Sequence, residues 1–223
     1  MEMLNNRAEA SNVIFFKPRE NPMKNPLMQT LFAHWDSLRA GRLAPGRAEI
    51  DPRKIENVLE HAFILEQRDG GSTRFRIAGM RLCDLMGMEL RAMPATAAIA
   101  PESRALFSEC LARVFGMPEI IALTLAAPCP GQAPVRGEML MLPLADDAGR
   151  ITRLLGCLLA TPREMTPPLR FAITGRKTTR IVTKVKNRTP QKLAGFAETQ
   201  DAFIPPSPLR GQAGHLRLVD TRD

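Results

Sequence analysis

Apolar residues change period several times along this chain, and the changes lay out its elements. Leu27, Leu31, Trp35 and Leu38 recur at helical spacing, with Met28 and Phe32 widening the stripe. The pattern predicts an amphipathic helix over residues 27–40, with Pro26 suited to its start and Gly41 to its stop. Asp51-Pro52 can cap and open a short helix running to about residue 60, with Ile55, Val58 and Leu59 inward. The period then shortens. Residues 62–67 and 73–79 read as two strands joined by the turn Asp69-Gly70-Gly71, Phe75 and Ile77 facing one side and Arg74 and Arg76 the other. A short helix over residues 80–86 ends near Gly87. A longer one opens at Pro101, runs to about Phe115 and stops at Gly116 and Pro118. Strands follow at 119–127, 136–145 and 151–160, the last two joined by the polar turn Asp146-Asp147-Ala148-Gly149. Pro143 is awkward in a central ladder, so an edge, a bulge or the strand's final residues are expected there.

Two strands, helices and then three strands without intervening helices do not suit a parallel α/β sheet. The expected fold class is α+β: a five-stranded antiparallel sheet with helices packed on one face, plus the N-terminal amphipathic helix. Residues 1–24 read as a flexible arm around the apolar patch Val13-Ile14-Phe15-Phe16, and residues 25–162 as the domain. Residues 163–223 read as a basic, largely disordered extension. Within it, residues 170–192 fit a hairpin, a helix or an interaction tail.

Charge sharpens this division. Residues 25–162 carry 15 Lys or Arg against 15 Asp or Glu, whereas residues 163–223 carry 12 against 5. The formal net charge of +8 therefore belongs mainly to the extension, which suits nucleic acid, anionic lipid or an acidic partner. Cys83, Cys110, Cys129 and Cys157 are widely spaced and form no C-x-x-C pair, which argues for a reducing compartment and against a zinc knot. With no signal-peptide pattern and no apolar run long enough to span a bilayer, a cytoplasmic location is expected.

Three segments carry a family resemblance: residues 32–41 with Trp35, the run Arg47-Ala48-Glu49-Ile50-Asp51-Pro52, and residues 75–90 with Ala78-Gly79-Met80-Arg81-Leu82-Cys83 and Gly87-Met88-Glu89-Leu90. Through them residues 29–160 resemble the PAS-like family common in alphaproteobacteria. The resemblance implies a sensory or protein-interaction role in signal transduction, acting through homodimers and a signalling protein partner. Relatives hold haem, flavin, small metabolites or nothing, so no cofactor is assigned; none is favoured, with a small-molecule ligand as the alternative. Residues 91–100 depart from the family pattern, being rich in alanine and free of aromatic residues.

Catalytic motifs are absent from the sequence. There is no H-x-x-x-H pair among His34, His61 and His215, no phosphate-binding glycine loop and no G-x-S-x-G elbow. A non-enzymatic regulator is therefore expected. Ligand contact would fall to Arg81, Cys83 and Met86, with an ion pair to Glu89 or Asp84 as the plainer use of Arg81 and ordinary packing as the plainer use of Cys83 and Met86. Leu27, Leu31, Trp35 and Leu38 would form either a partner interface or part of the core. The alternative function is a dimeric nucleic-acid-binding regulator using Arg176, Lys177, Arg180, Lys184, Lys186 and Arg188 of the basic tail.

Overall fold

The computed structural model describes residues 25–68, 70–161 and 166–183. Helix α1 (Pro26–Arg39) starts where expected: the Asn25 side chain accepts the Leu27 N–H at 3.0 Å and Pro26 occupies the first turn. Asp51 caps the next element in the same way, accepting the Arg53 N–H at 3.0 Å ahead of a 3-10 turn (Pro52–Ile55) and helix α2 (Glu56–Leu59). Strands β1 (Ala62–Gln67) and β2 (Thr73–Ala78) form the hairpin, followed by α3 (Met80–Met86) and α4 (Arg104–Gly116). Then come β3 (Glu119–Cys129), β4 (Gln132–Ala145), β5 (Ile151–Ala160) and β6 (Ala172–Arg180).

The sheet order is β2-β1-β5-β4-β3-β6, with every neighbouring pair antiparallel. The sixth strand extends the expected five. It lies in the segment read from composition as a largely disordered basic tail, and it pairs with β3 from Glu119↔Arg180 to Ala126↔Ala172.

Both faces of the sheet are covered. On one, Phe63, Leu65, Phe75, Leu123, Met139 and Leu158 pack against α3 and α4. On the other, Ile64, Leu140, Leu142, Leu155 and Cys157 pack against Met28, Leu31 and Trp35 of α1. The inner strands show why. Residues 139–144 of β4 and 154–159 of β5 are buried without interruption. Each fully buried leucine or methionine side chain is worth roughly 1.5–3 kcal/mol, so leaving either face in water would cost most of the fold's margin.

Two local features refine the strand pattern. Ile64 pairs with Ile77 and Leu65 with Phe75, which leaves Arg76 as an extra residue in a bulge. Phe75 and Ile77 therefore point to opposite faces, not the same one: Phe75 is buried, while Ile77 sits beside Ile64 and is 48% exposed. Pro143 pairs with Leu154 beyond Ile121↔Met141, the last pair between β3 and β4, so it falls in the strand's final residues.

Gly156 marks the tightest point. A Cβ there would stand 2.6 Å from Leu140 O and press into the Phe63 ring. Backbone of the adjacent strand cannot give way as a flexible side chain would. Gly156→Ala is expected to destabilise the protein by about 1–3 kcal/mol or more, whereas Gly116→Ala, which meets nothing within 4 Å, should stabilise it by about 0.4–1 kcal/mol. Urea unfolding of both variants checks the opposite signs; a neutral Gly156→Ala would refute the packing described here.

Candidate functional site

Between the helices and the sheet of such a fold lies the natural place for a small ligand. Here the chain's own side chains fill it: Met86, Leu90, Ile99, Phe107 and Phe171 are each less than 2% exposed. The three residues expected to contact a ligand do not converge on a cavity. Arg81 is exposed, its Nε 3.3 Å from Glu60 Oε2, so its acidic partner is Glu60 and neither Asp84 nor Glu89. Cys83 is half-buried with Sγ 3.9 Å from Glu89 Oε1. Met86 is enclosed in the core, its Sδ 3.5 Å from Arg170 Nη1. At about 100° per residue, positions 83 and 86 share one side of the helix, both against the core cluster, while position 81 points away from both.

Two open clefts lie elsewhere. One, of about 290 Å³, runs between the β1–β2 hairpin and α4, with Gln67, Thr73, Thr96 and Ser108 around an apolar floor of Leu111 and Phe115. Its amide and hydroxyl groups suit a small uncharged polar molecule. The other, of about 460 Å³, is shallower and lined by Arg76, Ile77, Ala78, Glu89 and Arg91. Glu89 accepts the Arg91 N–H at 2.9 Å, and its carboxylate stands in the same cleft as the two guanidinium groups. Neither cleft is visible in the sequence, because its lining residues come from separate segments with no shared period. Among the described residues, no group of three or more His, Cys, Asp or Glu side chains is placed to hold a metal ion.

Residues 23–159 match the family described as PAS domain. The chain belongs to this family. Comparison with curated proteins finds no match. The matched PAS region ends at β5, so β6 and the residues leading into it lie beyond the part that defines the family.

Within the PAS domain, α1 is spent largely on its own sheet. Leu31 and Trp35 are fully buried there, and Leu27 and Leu38 are half-buried against the same cluster. Trp35 Nε1–H donates to Pro143 O at 2.8 Å, and the Arg39 guanidinium lies 5.6 Å from the ring centroid. Arg39 in turn pairs with Asp36 at 2.6 Å and donates to Arg42 O at 2.9 Å. The centre of the stripe is therefore core, and only its rim is open.

The basic strand divides in the same fashion. Arg176 and Arg180 pair opposite Leu123 and Glu119, on the α4 side of the sheet, while Lys177 pairs opposite Ala122, on the α1 side. Arg176 is 2.7 Å from Glu109 of α4, and Arg180 is 3.8 Å from Glu119. Glu119 is buried and clamped by Arg113 at 2.8 and 3.1 Å. Lys184, Lys186 and Arg188 lie outside the described residues. Among the described residues, no helix is long and apolar enough to cross a membrane.

The thiols divide by burial. Burial pushes the Cys157 thiol up to about 12 and raises Cys110 as well, so neither forms a thiolate at neutral pH. Cys83 and Cys129 are the half-buried pair.

His34, on α1, accepts the Asp51 N–H at its Nε2, 3.2 Å away. Burial holds its pKa below the ordinary 6.5, Lys54 pushes the same way and Asp51 opposes. The unfolded chain thus takes up the proton more readily than the folded one, and stability falls as pH drops from 6.5 towards the folded value. Replacing His34 with Gln, which keeps an acceptor but does not titrate, is expected to flatten the fall of the denaturation midpoint as pH drops below 6.5; an unchanged acid limb would exclude His34 as its source. Trp35→Phe should cost about 1–3 kcal/mol by stripping Pro143 O of its donor, measurable by circular dichroism in urea.

Proposed function

We propose that this PAS protein is a non-enzymatic regulatory module that works by protein–protein contact, as a cytoplasmic homodimer of the type common in alphaproteobacteria. The observation that carries the reading is the filled interior: the volume where a PAS cofactor would lie holds Met86, Phe107 and Phe171, with no polar side chain of the predicted ligand set turned into it. Signal transfer in such a module runs through surfaces whose packing differs between two states, and a partner shifts the balance only by binding one state better.

The rim of α1, with Leu27 and Leu38 half-buried at the border of the core, supports the homodimer reading. A transient small-molecule input fits the polar cleft at Gln67, Thr73 and Ser108 better than the packed interior. The nucleic-acid reading draws less support, since two of its described arginines face acidic partners on one side while Lys177 faces the other.

Gentle and denaturing mass spectra of one preparation of the 24.7 kDa chain test the proposal. The expected result is twice the chain mass under gentle conditions, with no added mass that denaturation removes. A stoichiometric small molecule lost on denaturation, or a monomer at every concentration, would overturn it.

A further inference from the structure

The residues leading into β6 lie across the helical side of the PAS domain as an extended strap. Leu169 N–H donates to Leu85 O at 2.9 Å and Phe171 N–H to Ala98 O at 3.0 Å. Phe171 O accepts the Ala100 N–H at 2.9 Å, and Ile173 N–H donates to Ser103 Oγ at 2.9 Å. Leu169 and Phe171, two residues apart, are 4% and 0% exposed and belong to the core between helices and sheet. The groove is cut to fit them. A Cβ on Gly137 of β4 would stand 3.2 Å from the Phe171 ring, and one on Gly87 would stand 2.8 Å from Pro167.

We infer that the groove between the end of α3, residues 98–103 and β4 is a binding site for an extended Leu-x-Phe peptide, and that residues 166–171 are its resident occupant in cis. The occupant that displaces them is a partner-protein segment of the same chemistry. Three observations favour a peptide over an apolar small molecule and make the strap exchangeable. Vacating the groove strands Leu85 O, Ala98 O and Ala100 N, and a main chain can satisfy all three whereas an apolar molecule satisfies none. The strap and β6 lie beyond the family-matched region, and β6 pairs with β3 alone at one end of the sheet. Its removal breaks no ladder among the other five strands. The ion pair holding it to α4, Arg176–Glu109, has both side chains partly in water, where such a pair contributes little. The inference deepens the proposed function by naming the partner's chemistry, and rests on it only for there being a partner.

The test uses the full chain and a fluorescent peptide of residues 166–173, Thr-Pro-Pro-Leu-Arg-Phe-Ala-Ile, followed by polarisation. Phe171→Ala should bind this peptide at least about tenfold more tightly than the wild-type protein, whose own strap competes. The same peptide carrying Phe171→Ala should bind neither. A folded Phe171→Ala protein that binds no better than wild type overturns the inference. Hydrogen exchange on the wild-type protein decides the matter if that variant does not fold. The amides of Leu169, Phe171 and Ile173 should exchange at least about tenfold faster than those of Leu140 and Leu155 in the inner strands. Equal rates would mean that the strap leaves only on global unfolding, and would overturn the inference. Both readouts are independent of dimerisation and of any small ligand, so they fail separately from the function proposed above.

Discussion

Burial of the two inner strands on both faces is the constraint from which the rest of the structure follows. β4 and β5 carry apolar side chains at successive positions, Met139-Leu140-Met141-Leu142 and Leu154-Leu155 among them, and a strand sends successive side chains to opposite sides. One layer of helices cannot satisfy such strands. α3 and α4 cover one side; α1 must cover the other, and the Trp35–Pro143 bond fixes it there. With both layers in place the sheet tolerates no extra volume, which is why Gly156 sits where the Phe63 ring meets the neighbouring strand.

Most of the fold was legible because its signals are local. The ends of β1, α3 and β5 coincide with turn and helix-stop residues that announce themselves, such as Gly87 in the left-handed conformation at the end of α3. Covering of both faces was also written in the unbroken apolar runs, although alternation in β2 drew attention to one face instead. Its alternation was misleading in detail. The bulge at Arg76 depends on pairing with β1, and pairing is a long-range fact that no single strand carries.

The site was much less legible, for two physical reasons. Adjacency on a short helix was read as convergence, yet Arg81, Cys83 and Met86 reach Glu60, Glu89 and the core respectively. After Pro168, Leu169, Phe171 and Ile173 recur at every second position, a strand-like period, but the run is short and the net positive charge of the segment around it was read as a solvated tail instead. Only the glycine at position 137, unneeded by any turn, hinted that something bulky would lie against β4. Charge counting failed there as well. Arg176 and Arg180 read as a free positive field until their cross-strand positions bring them to Glu109 and Glu119. A sum of charges says nothing about which of them neighbouring elements have already balanced.

The two outer strands of the sheet bear on a different matter, the behaviour of this protein at high concentration. Unpaired strand edges are templates on which copies stack into polymers. On β2 the template is blunted from within: Phe75 exchanges main-chain bonds with Met93 and Ala92, at 2.9 and 2.8 Å. On β3 it is overlaid by β6, a strand carrying Arg176, Lys177 and Arg180. The strand that first suggested a tail reaching for phosphate thus serves as a cap on β3, its main-chain groups taking the place that a second copy would otherwise occupy.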